Sequence, residues 1–148
     1  MPRRLFSAWI PPLVWVALIF IGSTDVLSAE HTSRFLVPFL RWLNPAISGQ
    51  TIETIHVCLR KLGHVSEYAV LAALCWRALR ITLAHSRTAR LALLTLVVSA
   101  GLAAFDEFHQ SYVASRTASP LDVLVDCAGA AVAIAICWRL SRKRRRVG

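Results

Sequence analysis

Acidic residues are scarce in this sequence, which has eight Asp and Glu against 17 Lys and Arg in 148 residues. It contains four cysteines but no CxxC pair, so neither a disulfide framework nor a thiolate zinc site is indicated. The HExxH, GxSxG and nucleotide-loop patterns are missing as well, which removes the usual signatures of zinc peptidases, serine hydrolases and nucleotide-binding enzymes. Low hydrophobicity is also missing, and this excludes a disordered chain.

Hydrophobic residues instead make up 56% of the chain and fall in long runs, so a soluble enzyme is not expected. A bilayer core requires about 20 residues of helix. We therefore predict an all-α fold, a single membrane domain over residues 1–148 with four transmembrane helices at about 5–22, 62–80, 90–106 and 121–140. A cleaved signal peptide is the alternative for the first run, but Pro11 and Pro12 within the run argue against it.

The charges predict an orientation. If both termini and the 80–90 loop are cytoplasmic, that side holds twelve of the 17 basic residues and none of the eight acids. The outer side then holds all the acids and the other five basic residues, Arg34, Arg41, Arg60, Lys61 and Arg116. The positive-inside rule favours this arrangement. It gives an inner-membrane protein of bacterial type with a basic cytoplasmic tail, 141–148, which we interpret as a membrane anchor rather than a nucleic-acid site.

The longest non-membrane stretch is the predicted outer loop, 23–60. Within it, apolar residues at helical spacing over Phe35–Leu43 lie beside Arg34 and Arg41, which is typical of a short interfacial helix. Pro38 would kink this helix. A lid that packs on the helix ends is an equally good interpretation of the segment.

Polar residues at membrane depth are the most informative feature. At 1.5 Å per residue, Glu67 lies ~15 Å above the inner end of the second run and His64 ~20 Å above it. The same count puts Asp106 ~24 Å and Asp126 ~20 Å above the inner ends of their runs. Three helices therefore direct ionisable groups into the same outer half of the membrane, where such residues are rare and need partners.

Spacing groups these residues on single helix faces. His56, Arg60, His64 and Glu67 form one stripe if the second helix extends outward past Arg60. Asp122, Asp126 and Gly129 form another, with Gly129 permitting close helix approach. The natural partners are Lys61 or Arg116 for Glu67, and His64, His109 or Arg116 for the aspartates. Such pairs could simply fix helix register, or His and carboxylates from three helices could hold a divalent metal such as zinc or manganese.

Two motifs in this polar set resemble those of a known family. Lys61, His64, Glu67 and Tyr68 form a K-x-x-H-x-x-E-Y element, and Asp106-Glu107-Phe108-His109-Gln110 is followed by Arg116, Asp122, Asp126 and Gly129. Together they resemble the VanZ-like family of small bacterial membrane proteins, over roughly residues 12–138. Asp126 departs from the pattern, since many relatives carry Asn there. The resemblance implies an inner-membrane protein whose namesake is linked to reduced susceptibility to teicoplanin; it implies no agreed reaction.

Our leading hypothesis is an outer-leaflet site that acts on or binds a cell-envelope molecule with a lipid part, such as a lipid-linked cell-wall precursor or a glycopeptide. Glu67 would be the acid or base, His64 and His109 would move protons, and Asp106 and Asp122 would orient them or ligate a metal. Substrate contacts would come from Lys61, Tyr68, Glu107, Gln110, Arg116 and Asp126. Membrane lipids are the other expected partners; no cofactor and no nucleic acid is expected.

Two non-enzymatic functions are the alternatives. The chain could bind or shield the membrane surface against lipophilic antibiotics, in which case the Phe35–Leu43 segment would matter more than the carboxylates. It could also be a proton-coupled carrier, because carriers use membrane carboxylates too. Four spans are few for a carrier, so this hypothesis requires a homodimer.

Overall fold

The computed structural model describes residues 2–24, 29–113 and 118–147, and these residues form five helices without a strand. They are α1 (Pro2–Gly22), α2 (Ala29–Leu43), α3 (Gly49–Thr82), α4 (Thr88–Gln110) and α5 (Pro120–Val147). The predicted all-α fold is confirmed. Local signals account for two of the helix starts. The Ser48 hydroxyl accepts a hydrogen bond from the Thr51 amide at the start of α3, and Pro120 occupies the first position of α5, where its missing N–H costs nothing.

Three of the helices are long and apolar enough to cross a membrane: α1 over Arg4–Gly22, α4 over Thr88–Gln110 and α5 over Pro120–Lys143. These correspond to the first, third and fourth predicted spans. The second predicted span, 62–80, lies inside α3, which carries too many charged residues to qualify by composition. α3 nevertheless contacts each of the other four helices, so it occupies the centre of the bundle.

Contacts along α3 give the direction of its neighbours. Trp9 of α1 donates to the hydroxyl of Thr82 at 3.0 Å, and Arg80 lies 3.5 Å from the hydroxyl of Ser141 on α5. The beginning of α1 and the last part of α5 therefore both lie where α3 ends. We call this the basic end of the bundle. The opposite end, where α1 and α4 finish and α5 begins, carries the buried charges and is called the polar end.

Apolar packing fills the basic end and the middle of the bundle. At the basic end, α3, α4 and α5 bury one cluster, which contains Ala72, Trp76, Leu79, Leu91, Ala130, Ala133 and Ile134. In the middle, α1, α3 and α4 bury a second, which contains Ile19, Tyr68, Leu71, Cys75 and Ala103. Cys75 is one of the four free cysteines and is buried in this second cluster, as expected of a small apolar packing residue.

One glycine fixes the distance between α3 and α5. A Cβ placed on Gly129 would lie 2.3 Å from the backbone oxygen of Val65, closer than any real contact. Only glycine therefore permits this approach, as the sequence predicted for this position.

The segment between the first two predicted spans is more helical than the expected loop 23–60. Its described part contains all of α2 and the first turns of α3, so the predicted helix 35–43 is the second half of a longer helix, with Pro38 inside it. α2 packs against α3, where the hydroxyl of Thr32 lies 2.9 Å from Nε2 of His56. The predicted tail 141–148 is also largely helical, because α5 continues to Val147.

Candidate functional site

A cavity of about 270 Å³ lies at the polar end, between the last turn of α1, the helix α2, the outer half of α3 and the end of α4. Its wall is mostly apolar, with a few convergent polar groups, which is the usual character of a small-molecule site. The lining residues are Gly22, Ser23, Thr32, Leu36, His56, Leu59, Arg60, Gly63, His64, Glu67 and Gln110. The predicted stripe His56, Arg60, His64 and Glu67 is thus confirmed as one face of α3, because the helix does extend past Arg60.

His64 is held by Asp126 across the α3–α5 contact. Its Nδ1 lies 3.1 Å from Oδ1 of Asp126, and both side chains are buried. The pair lies beside the contact that Gly129 makes with the α3 backbone, because residues 126 and 129 share a face of α5. An ionised Asp126 accepts a hydrogen bond from Nδ1–H, which fixes the ring and leaves Nε2 as the nitrogen available for chemistry.

Asp122 binds two cations from α3. Nη2 of Arg60 lies 2.8 Å from Oδ2 of Asp122, and Nζ of Lys61 lies 3.0 Å from Oδ1. The carboxylate is buried, whereas both cations remain partly open to solvent. Lys61 therefore pairs with Asp122 and not with Glu67, the partner that the sequence offered it. Because Asp122 occupies both cations, its role in the structure is to join α3 to α5 and to position Arg60 at the cavity.

A third group joins α1 to α4. Oδ2 of Asp106 accepts hydrogen bonds from the Ser23 hydroxyl and from Nε2 of Gln110, each at 2.9 Å. Nε2 of Gln110 is also 3.3 Å from the Ser23 oxygen, so the three side chains form a closed triangle. Oδ1 of Asp106 and Oε1 of Gln110 are buried and find no partner among the described residues. Buried acceptors of this kind call for a donor, since leaving them unsatisfied is costly.

Glu67 lies one turn inward of His64 and lines the same cavity. The backbone at this point is tied to α1, because the indole of Trp15 donates to the carbonyl of Glu67 at 2.9 Å. Tyr68, the next residue, points away from the cavity into the middle apolar cluster and is 1% exposed. It is a packing residue in this structure and does not line the cavity, which differs from the substrate contact that the resemblance implied.

Two further predicted residues lie apart from the cavity. The ring of His109 packs against that of Phe20, with centroids 5.6 Å apart. Glu107 is buried and accepts a hydrogen bond from the backbone amide of Ser119, immediately before α5. Glu107 therefore anchors the chain as it enters α5. The predicted site residue Arg116 lies outside the described residues.

The cavity also contains residues that the list of predicted site residues omitted. Ser23, Thr32, His56 and Arg60 all line it. His56 and Arg60 could have been found from the stripe on α3. Ser23 directly follows an apolar run, which is a weak signal. Nothing in the sequence marks Thr32, because its place depends on how α2 folds back onto α3.

The geometry limits the chemistry that these residues can perform. Within residues 2–24, 29–113 and 118–147, no three His, Cys, Asp or Glu side chains are grouped to hold a metal ion. What the cavity does offer is an imidazole oriented by a carboxylate, a carboxylate one turn away and a guanidinium at its wall. An oriented imidazole of this kind is suited to general-base chemistry, and a guanidinium to binding phosphate or carboxylate.

Fold and site together define a helical bundle of membrane type with a buried polar cavity at one end. The family model of VanZ/LLP1 matches residues 8–141, which is most of the chain. The protein therefore belongs to the VanZ/LLP1 family, as the two motifs indicated. No curated protein and no solved structure matches the chain.

Proposed function

We propose that the protein binds the head group of a lipid or lipid-linked cell-envelope molecule in the cavity at its polar end and acts on it there. The observation that carries this proposal is the placement of His64, oriented by Asp126, in one cavity wall with Arg60 and Glu67. Arg60 would bind a phosphate or carboxylate, and His64 would take up the proton of an attacking hydroxyl or water. Glu67 would act as the second acid or base.

The proposal includes an orientation. α3 would be the fourth span, with its polar stripe tolerated because other helices surround it. Both termini would be cytoplasmic, since they lie at the basic end, and the cavity would open at the outer leaflet of a bacterial inner membrane.

The native Cys58 provides a test of this orientation. It is exposed on α3, outward of Arg60, whereas Cys75 is buried. A membrane-impermeant maleimide should label Cys58 in intact cells, and Cys58→Ser should remove that label. Labelling that appears only after the cells are lysed would reverse the orientation.

The site itself is tested through the resistance phenotype that family membership suggests. We expect a teicoplanin-sensitive bacterial host to become less susceptible when it carries the wild-type protein. At equal membrane abundance, His64→Ala and Glu67→Gln should lose this protection. Ser66→Ala is the matched control, because Ser66 is exposed and bonds only to the Leu62 carbonyl of its own helix. Full protection by both cavity variants would refute a chemical role, and no protection by any version would separate this protein from the phenotype.

A second candidate function rests on α2. Phe35 and Trp42 are 81% and 77% exposed, and Phe39 is also exposed, so this helix presents large aromatic groups on its outer surface. Such a surface fits insertion into a lipid interface and shielding of the membrane from lipophilic antibiotics. Replacing Phe35 and Trp42 by Ser leaves the cavity untouched. Loss of protection in this double variant, with protection kept in His64→Ala, would favour shielding.

A further inference from the structure

A second cleft, of about 490 Å³, lies at the basic end between α4 and α5, on the outside of the bundle. Its floor is made of small side chains, including Ala92 and Ala135, and its walls are aliphatic, including Leu96. Small residues facing each other keep the cleft open along the helix axis. It has the form of a channel for a hydrocarbon chain rather than of a flat lipid-facing surface.

The cleft ends in an aromatic ring and two cations. Trp138, Arg139 and Arg142 line its last part, and the guanidinium carbon of Arg142 lies 5.5 Å from the centroid of the Trp138 ring. This cation–π contact holds Arg142 at the mouth of the cleft, since such contacts are favourable within about 6 Å. Trp side chains also prefer the depth at which lipid head groups begin.

Nothing described in the protein neutralises these two arginines. None of the cleft residues is acidic. Along α5, the nearest described acid to Arg139 is Asp126, thirteen residues or ~20 Å away. Along α4, Asp106 lies fourteen residues or ~21 Å from Ala92. An apolar channel that ends in uncompensated positive charge is complementary to an amphiphile with a negative head group.

We infer that this cleft is a binding site for an anionic phospholipid, with one acyl chain between α4 and α5 and the phosphate between Arg139 and Arg142. The site is independent of the polar cavity and of the function proposed for it. It lies at the opposite end of the bundle, and its residues take no part in the cavity wall. Basic pockets between membrane helices are a general solution for recognising phosphate head groups.

Native mass spectrometry of the full chain in neutral detergent tests the site. The probes are phosphatidylglycerol and phosphatidylcholine with identical acyl chains. We expect the wild type to retain phosphatidylglycerol with a preference of about tenfold or more. Arg139→Gln with Arg142→Gln should reduce this preference to about threefold or less. Arg87→Gln with Arg90→Gln is the matched control, because it removes the same charge at the same end but outside the cleft.

Two further arms separate the parts of the inference. Ala135→Leu fills the exposed floor without changing charge and should weaken retention of both lipids. Free glycerol phosphate, which has the head group without the chain, should not compete. Equal retention of both lipids by the wild type would overturn the site. So would an equal loss in the control pair, an unaffected Ala135→Leu, or full competition by glycerol phosphate.

Discussion

The two ends of the bundle are built by different physics. At the basic end, α3, α4 and α5 bury apolar side chains such as Trp76, Leu79 and Ile134 against one another. At the polar end, the same helices are joined by three directional contacts: His64 with Asp126, Asp122 with its two cations, and Asp106 with Ser23 and Gln110. Apolar packing tolerates many equivalent arrangements, whereas hydrogen-bonded pairs fix one.

The difference explains where the cavity lies. Charged groups inside a membrane protein are costly, so each buried carboxylate at the polar end requires a partner from a neighbouring helix. Those partners hold the helices at defined separations and leave space between them, at the point where α2 and the end of α1 meet α3. The basic end has no such constraint and closes around its side chains. Stability and site geometry are therefore expected to respond to different substitutions.

The largest effect is expected at Gly129, where the two ends meet. Gly129→Ala places a methyl group against the Val65 backbone and must push α3 from α5, which also separates His64 from Asp126. We expect a loss of about 3 kcal/mol in unfolding free energy, at the upper end of the usual cost of overpacking. Denaturant unfolding in micelles measures it.

The control for this prediction is Gly101→Ala. Gly101 is also inside a helix, but a Cβ there meets nothing within 4 Å, so the change should raise stability slightly through helix propensity. Equal behaviour of the two variants would mean that the close approach of α3 and α5 does not exist.

An intermediate effect is expected from Asp122→Asn. The variant removes the charge shared by Arg60 and Lys61, and we expect a loss of about 2 kcal/mol, typical of hydrogen bonds to charged groups. Both cations are partly exposed, so the loss should shrink as salt rises from about 0.01 M to about 1 M. Leu79→Ala, which should cost about 2 kcal/mol at the basic end, serves for comparison. Its loss should not depend on salt, and a matching salt response in the two variants would contradict the division between the ends.

Much of the fold could be predicted because the apolar runs and the charge pattern are properties of the sequence alone. The runs at 5–22, 90–106 and 121–140 each correspond to a helix of membrane length. The length of α3 could not be predicted from hydropathy, because its polar stripe interrupts the apolar run on which that prediction depends. The fold of residues 29–43 against α3 depends on tertiary contacts, such as Thr32 with His56, that no local pattern indicates.

The site was predicted in the same partial way. Helical spacing identified the faces that carry His64, Glu67 and Asp126, since side chains three or four residues apart share a face. Spacing defines a face only to within about 60°, because three residues turn the helix by about 300°. His109 follows Asp106 at this spacing, and it packs on Phe20 instead of joining the triangle. Spacing also says nothing of how helices rotate against one another, which is why Lys61 was offered the wrong partner.

The smallest effect is expected at Ser23, which closes the triangle between α1 and α4. Ser23→Ala removes one donor to Asp106 but leaves the Gln110 bond in place. We expect a loss of about 0.6 kcal/mol, the average for interhelical hydrogen bonds in membrane proteins. The matched control is Ser66→Ala, whose hydroxyl bonds only within α3 and should change stability by less. In a double-mutant cycle, Ser23→Ala and Asp106→Asn should be non-additive, because Asp106 receives the Ser23 hydroxyl. Additive losses would mean that α1 is held at the polar end by its apolar contacts alone, and the triangle would then be a consequence of the packing rather than a cause of it.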